Sequence, residues 1–300
     1  MPDQANQLRE LVRRASMPRT VASRTRLIVV SGGKGGVGTT TVAANLAIAL
    51  AQAGRAVALV DADADGGCIA AMCRIEEKAT IVDVLSGRTA LVDALVDGLP
   101  GVAVLAGAWG VDLTATCSPA AVERFTAQLH DLDPRASLAV IDAGNGTHSL
   151  ARQLWQAADQ VLVVTGPELV SVLSSYAVIK TLSGGDSTRR ISTLVNRSPS
   201  QSAAAEVHSR LEQACLRFLG LRLGPWWWLP EELRMAESGR AGELYLPDAP
   251  ECPATRCIRQ LAEGLEATPC QFTERRSGAT IVNKSSTGSH GNADMSGRVR

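Results

Sequence analysis

Residues 31–41 read "SGGKGGVGTTT", a stretch that combines closely spaced glycines with a run of threonines. The phosphate-binding P-loop has the pattern G-x-x-x-x-G-K-[ST], and this stretch matches it at Gly33, Gly38 and Thr40. Thr39 stands where the pattern has its lysine. The stretch therefore predicts a phosphate-binding loop that lacks one of its usual cations.

The residues on either side supply the context that a P-loop requires. The apolar run LIVV at 27–30 predicts a strand before the loop, and the alanine- and leucine-rich run from Thr39 to Ala53, which stops at Gly54, predicts a helix after it. The loop glycines would turn backbone N–H groups onto phosphate oxygens, helped by the positive end of the helix, and the Thr40 hydroxyl would contact Mg²⁺. A glycine turn without a ligand remains the alternative.

Short apolar runs recur along the chain between helix-like segments. Runs without polar alternation are typical of strands that are buried on both faces, as in a parallel sheet covered by helices. The pattern predicts an α/β fold with a doubly wound, mostly parallel sheet and ligand sites at the carboxyl ends of its strands. The predicted strands are 27–30, 56–60, 102–106, 138–141, 161–164 and 191–195.

Acidic residues follow two of these runs. Asp61 and Asp63 in "LVDADADGG" are two residues apart, so both would point to the same side of an extended chain. Asp142 ends another apolar run in "AVIDAGNG", where a carboxylate can reach a metal ion. Beside a triphosphate, such carboxylates hold Mg²⁺ partly through its water shell. A solvated acidic turn is the alternative for the Asp61 and Asp63 pair.

Composition narrows the class of protein further. Thirty basic and thirty acidic residues cancel, so no overall field attracts nucleic acid or an anionic membrane. The seven cysteines are scattered and never spaced C-x-x-C, which disfavours a zinc site and a disulfide framework. Neither a signal peptide nor a membrane span is expected, and a cytoplasmic location fits best.

Four motifs in order, "KGGVGTT", "VDAD", "VIDAGNG" and "VLVVTGPE", resemble those of the deviant Walker A ATPases of the MinD/ParA group, over roughly residues 25–266. The resemblance implies ATP and Mg²⁺ as cofactors. It also implies that Lys34 crosses an ATP-sandwiched homodimer to the partner's nucleotide, that Asp63 positions the hydrolytic water, and that Asn196 lies by the adenine. The expected cofactor-binding residues are Gly33, Lys34, Gly35, Gly36, Val37, Gly38, Thr39, Thr40, Thr41, Asn196 and Pro230, and the expected metal ligands are Thr40, Asp61 and Asp142.

Within this group the chain is most similar to the FlhG regulators of flagellar number, on three passages at 3–12, 80–110 and 194–220. The first passage, "DQANQLRELV", resembles their N-terminal D-Q-A-x-x-L-R element. Residues 1–14 are therefore expected to bind a protein partner, such as a flagellar GTPase or a transcription regulator, with packing on the chain's own domain as the alternative. The expected organisation continues with a linker at 15–25, the nucleotide-binding domain at 26–267 and a disordered polar tail at 268–300, with no stable membrane anchor and no specific nucleic-acid partner.

Departures from the family pattern leave the activity open. Thr39 replaces the loop lysine, Cys68 stands where an asparagine is common, and Glu231 stands where an aspartate is usual. The chain is thus expected to be a nucleotide-dependent switch that controls a surface organelle, with weak or lost ATPase activity. The alternative is a non-hydrolysing scaffold that resembles the pilus-localising TadZ/CpaE proteins. Residues 226–228, a triple tryptophan, are either a stacking surface or a buried strand.

Overall fold

The computed structural model describes residues 24–64, 66–108, 117–145, 147–184, 190–246 and 251–268. Within them the strands are β1 (Arg26–Gly32), β2 (Val57–Asp61), β3 (Val96–Leu99), β4 (Val102–Leu105), β5 (Leu138–Asn145), β6 (Gln160–Thr165), β7 (Ile191–Ser198) and β8 (Trp226–Pro230). The helices are α1 (Thr39–Gln52), α2 (Ile69–Met72), α3 (Ile81–Leu85), α4 (Leu91–Ala94), α5 (Pro119–His130), α6 (Ser149–Ala157), α7 (Leu169–Leu182), α8 (Gln201–Leu219), α9 (Leu233–Ala241) and α10 (Pro253–Ala267).

The described strands form one sheet in the order β3-β4-β2-β5-β1-β6-β7-β8. Every neighbouring pair is parallel except β3 with β4. The prediction of a mostly parallel α/β sheet is confirmed, and all six predicted strands are present. Each begins within one residue of the prediction, but β5 continues past Asp142 to Asn145 and β7 continues to Ser198, which is four and three residues beyond their predicted ends. Because parallel strands share a carboxyl edge, the segments that follow β1, β2 and β5 meet at one edge of the sheet.

Two further strands lie at the sheet edges. β3 has the sequence VDGL and is only partly buried, so it lacks the apolar run that marked the other strands. β8 contains the triple tryptophan, so that stretch is a strand, but it is not buried as the interpretation expected. Its tryptophans are half-buried: Trp226 stacks on His208 with ring centroids 5.3 Å apart, and Trp227 packs against Gly264 of α10.

The core is divided by the sheet into two layers. Leu27 and Val29 belong to one layer and Ile28 and Val30 to the other, as expected for successive residues of a strand covered on both faces. The first layer includes the buried side chain of Trp155. Burial on both faces explains why these strands are continuous apolar runs.

The helix predicted after the glycine loop is confirmed. The helix α1 begins at Thr39 after Gly38, whose φ of 93° is left-handed, and it ends at Gln52 just before Gly54. In α5, the Ser118 side chain accepts a hydrogen bond from the N–H of Ala121, and proline follows at the first helical position.

The predicted partner-binding segment at 1–14 lies outside the described residues, as do most of the linker at 15–25 and almost all of the tail at 268–300. No helix within the described residues combines the length and apolarity that crossing a membrane requires.

Candidate nucleotide-binding site

The glycine loop between β1 and α1 packs tightly at two glycines. A Cβ at Gly33 would lie 2.3 Å from the backbone nitrogen of Ser175 in α7, and a Cβ at Gly38 would lie 2.5 Å from the amide nitrogen of Asn196. Gly36, at a φ of 79°, has no described atom within 4 Å of that position. The loop is therefore held at both ends, and glycine is required at these contacts because any side chain would displace a neighbouring element.

Thr39, which replaces the P-loop lysine, is the first residue of α1 and is 7% exposed. Its hydroxyl fills the space beside the Cα of Gly32, where a Cβ would lie 2.4 Å from the hydroxyl oxygen. The side chain still lines the cavity described below. Its position is therefore that of the missing lysine, but it brings a short neutral group.

Asp61 ends β2 and is almost fully buried. Its Oδ2 accepts a hydrogen bond from the N–H of Ile69 at 3.0 Å, and its Oδ1 accepts one from the N–H of Asp63 at 3.3 Å. A Cβ at Gly67 or Gly107 would lie less than 3.0 Å from this carboxylate. Burial raises the pKa of Asp61 to about 6, although the Ile69 and Asp63 N–H groups oppose the rise.

Asp142 lies on β5 directly opposite Asp61, with which it is in register. Its Oδ1 accepts a hydrogen bond from the N–H of Gly144 at 2.9 Å, whereas its buried Oδ2 has no hydrogen-bond partner among the described residues. Burial, followed by the charge of Asp61, raises the pKa of Asp142 to about 7, while the Thr40 hydroxyl and the Gly144 N–H oppose the rise. An unsatisfied buried carboxylate beside a second one is an arrangement that a cation would stabilise.

Asp63 occupies the half-buried position in front of these two carboxylates. Its carboxylate lies against the Cα of Gly144, where a Cβ would be 2.2 Å from Oδ1. Gly144 has a φ of 62°, so the loop after β5 takes a conformation that glycine adopts without strain. Asp63 and the loop after β5 therefore share one wall of the site.

These elements surround a cavity of about 510 Å³, within the range of small-molecule sites. It is lined by Lys34, Gly35, Gly36, Gly38, Thr39, Thr40, Thr41, Asp63, Cys68, Met72, Gly144, Asn145, Asn196, Arg197, Pro230, Glu231, Glu232 and Met235. Ten of the residues predicted from the sequence lie in this lining. Four others do not: Gly33 packs on α7, the Val37 side chain enters the core, and Asp61 and Asp142 lie behind the wall.

Arg197, Glu231, Glu232 and Met235 line the cavity but are not among the site residues that the sequence predicts. Arg197 follows Asn196, and Glu231 and Glu232 follow Pro230, so adjacency to a predicted residue was the available signal. Met235, in α9, had no such signal.

The start of α7 lies close to residues of the loop and of the cavity lining. Glu168, which precedes α7, is bonded by the Ser171 hydroxyl at 2.7 Å. That hydroxyl, and then the charges of Lys34 and Arg197, lower the pKa of the Glu168 carboxyl. The first turns of α7 expose three apolar side chains, namely Leu169, Val170 and Leu173, each more than half exposed.

The atoms of the site fit Mg²⁺ and a nucleotide. The Oδ2 of Asp142, which has no hydrogen-bond partner among the described residues, offers the hard oxygen ligand that Mg²⁺ prefers, and the Thr40 hydroxyl lies near the same carboxyl group. The glycine loop leads into the N-terminus of α1, where unpaired N–H groups favour anions.

A glycine loop between β1 and α1, with Asp61 at the end of β2 and Asp142 beside it on β5, defines the protein as a P-loop NTPase by fold. The family model described as "ParA: NUBPL iron-transfer P-loop NTPase" matches residues 23–100. The septum site-determining protein MinD of Synechocystis sp. is 33% identical over 257 residues, which cover 83% of this chain and 92% of that protein. The chain therefore belongs to the MinD/ParA family.

Two further comparisons agree. The antiactivator FleN of Pseudomonas aeruginosa, a relative of the FlhG type, is 29% identical over 250 residues, covering 83% of this chain and 89% of that protein. The structure of the septum site-determining protein MinD from Pyrococcus horikoshii, a complex with Mg-ADP, has a TM-score of 0.67 at 24% identity, and the match covers 81% of this chain and 96% of that one. The predicted family and its fold are confirmed.

Proposed function

We propose that this protein is an ATP-dependent dimerising switch that acts in the cytoplasm and regulates the number or placement of a surface organelle, the flagellum. The observation that carries the nucleotide part is the cavity between the glycine loop and Asp63, behind which the Oδ2 of Asp142 is buried without a partner among the described residues. The similarity to FleN supports the flagellar part.

In this proposal, each part of the cavity has its own role. Backbone N–H groups of the loop and of the first turn of α1 bind phosphate oxygens. Thr40 and Asp142 hold Mg²⁺, and Asp61, whose two oxygens already accept hydrogen bonds, contributes through water. Asn196 and Pro230 lie at the end of the cavity that would hold the adenine base. Bound Mg·ATP would supply a transferable γ-phosphoryl group, and Asp63 is the carboxylate placed to orient water.

A second copy of the chain would cover the cavity rim. Lys34 lines the cavity, and the exposed Leu169, Val170 and Leu173 form an apolar face on α7 near the loop. Burying these three side chains in a dimer would be favourable because apolar surface leaves water. The proposed dimer gives Lys34 a second nucleotide to contact. Residues 1–14 are proposed to bind a different protein, a flagellar GTPase or a transcription regulator.

Thr39 determines how tightly the proposed switch binds ATP and how fast it hydrolyses it. Since no ammonium group stands at this position, we propose that ATP binds weakly to the monomer and more tightly to the dimer, where the partner's lysine adds charge. Hydrolysis is expected to be slow because one cation that stabilises the transition-state charge is missing.

Two measurements test the proposal. Titration with a fluorescent ATP analogue measures nucleotide binding, and size-exclusion chromatography with light scattering, in the presence of ATP and Mg²⁺, measures the molar mass and hence dimerisation. The native chain is expected to bind the analogue and to dimerise with ATP. Lys34→Ala is expected to remain monomeric, whereas Lys180→Ala, which changes an exposed lysine of α7 outside the cavity lining, is expected to behave as the native chain. If the native chain binds no nucleotide at millimolar ATP with Mg²⁺, the non-hydrolysing scaffold is the better account.

A further inference from the structure

The side-chain amide of Asn196 makes two hydrogen bonds that fix its orientation. Its Nδ2 donates to the backbone oxygen of Val37 at 2.8 Å, and its Oδ1 accepts from the N–H of Arg197 at 3.0 Å. The side chain is buried, with 4% exposed. Because an amide has a donor end and an acceptor end, a carbonyl on one side and an N–H on the other allow one orientation.

The strand that carries Asn196 is irregular at this point. The register between β7 and β8 shifts between Val195 and Ser198, and Arg197 has a φ of 56°, which is left-handed and uncommon for a residue with a Cβ. Such irregularities often redirect a side chain next to a functional site. Here the N–H of the left-handed residue is the group that holds the Oδ1 of Asn196.

The bond to Val37 acts on the peptide unit that joins Val37 to Gly38. In a planar trans peptide, the C=O and N–H point in opposite directions. The Val37 C=O points at Asn196, so the N–H of Gly38 points away from it. Gly38 lines the cavity and is the residue that precedes α1. The amide also abuts the Cα of Gly38, where a Cβ would be 2.5 Å from Nδ2.

We infer that Asn196 is a positioning residue for phosphate binding, which sets the Val37–Gly38 peptide so that the loop presents its N–H to the phosphates. The inference rests on the proposed nucleotide site and refines the role of Asn196 beyond contact with the base. With Thr39 in place of a lysine, backbone donors carry more of the phosphate interaction. The fixed peptide is therefore of greater importance than in a loop with its lysine.

The first test compares ligands that share phosphates but differ in the base. ATP, GTP and inorganic tripolyphosphate, each with Mg²⁺, compete with the fluorescent ATP analogue on the native chain, on Asn196→Ala and on Ser192→Ala. Ser192 is a matched control because it is a buried polar residue of β7 whose hydroxyl is bonded by Gln160.

Asn196→Ala is expected to weaken all three ligands by a similar factor of about two- to twelvefold, the effect of one lost hydrogen bond. Ser192→Ala is expected to leave the three affinities in their native ratios. If Asn196→Ala weakens the binding of ATP but not that of tripolyphosphate, the residue recognises the base and the inference is wrong. Unchanged affinities for all three ligands also contradict it.

The second test needs no nucleotide. Hydrogen exchange of the amides at 34–38 is measured in the free native chain, in Asn196→Ala, in Ser192→Ala and in Asn196→Asp, which keeps the acceptor for Arg197 but removes the donor to Val37. Both Asn196 variants are expected to exchange faster than the control. Equal exchange in all four chains would overturn the inference. A native chain that binds no nucleotide would instead refute the proposed function, while the difference in exchange could still be observed.

Discussion

Replacing Thr39 with lysine would restore the P-loop pattern. The structure predicts the sign of its effect on the stability of the free protein and on its affinity for nucleotide. Thr39 is the first residue of α1, and its first turn carries no acidic side chain. A lysine ammonium at this helix end opposes the macrodipole, which costs about 0.3–1 kcal/mol in the nucleotide-free protein. The replacement also removes the hydroxyl that packs beside Gly32. Without a ligand, Thr39→Lys is therefore expected to be less stable than the native chain.

With Mg·ATP the sign is expected to reverse. A charge-assisted hydrogen bond to a phosphate contributes roughly 1.5–3 kcal/mol, which corresponds to about ten- to 150-fold in affinity. This gain exceeds the cost at the helix end. Thr39→Lys should therefore bind the ATP analogue at least about tenfold more tightly, and its turnover should rise because the ammonium also stabilises transition-state charge.

The assay combines thermal unfolding with titration of the fluorescent ATP analogue, each with and without Mg²⁺. Thr39→Met is the matched control because methionine is similarly long and unbranched but carries no charge. The thermal unfolding midpoint of Thr39→Lys should lie below that of the native chain without nucleotide, and above that of the native chain when both are saturated with ATP. If lysine and methionine give the same dissociation constant, the missing charge is not what limits binding, and the reasoning is refuted.

Four other predictions concern the loop, a buried histidine and the two termini. Gly38→Ala should lower the free energy of unfolding by roughly 1–3 kcal/mol and abolish nucleotide binding, because a Cβ there would lie 2.5 Å from the Nδ2 of Asn196. The control is Gly184→Ala, at a φ of 60° with no described atom within 4 Å, which should show only the cost of backbone strain when both variants are unfolded in urea. Burial lowers the pKa of His208, against the pull of a nearby glutamate, so the fold favours its neutral form and should lose stability as the pH falls below about 6.5; His208→Gln should lose less between pH 7 and pH 5, and equal losses would contradict this. A chain that starts at Arg24 should unfold at the native temperature, and a markedly lower midpoint would show that the removed segment is structural. Removal of residues 268–300 should leave sedimentation with anionic vesicles unchanged and negligible, and ATP-dependent pelleting that disappears on truncation would overturn this.

The sequence predicted the centre of the sheet because burial on both faces leaves continuous apolar runs such as Leu27–Val30. The edge strands were harder to predict. β3 is partly exposed, so its sequence VDGL carries no such run. The triple tryptophan of β8 fitted two interpretations, since half-buried aromatic side chains suit an edge strand and a binding surface equally.

The candidate site was predictable to the extent that it follows from strand ends. Asp61 and Asp142 come together because parallel strands share an edge and because these residues are in register. The enclosure of Asp61 was not predictable, since it depends on the close approach of Gly107, which follows β4 and is distant from Asp61 in sequence. Likewise, the bond from Asn196 to Val37 joins residues 159 positions apart, and no local pattern encodes it.

The contact between Gly33 and α7 links the loop to the outer surface of the molecule. A Cβ at Gly33 would lie 2.3 Å from the backbone of Ser175, so main chain meets main chain without an intervening side chain that could change rotamer. The exposed Leu169, Val170 and Leu173 lie on the first turns of the same helix. A displacement of the loop by a few tenths of an ångström would therefore displace α7 as well. Because a helix moves as one unit, its exposed apolar side chains would move with it.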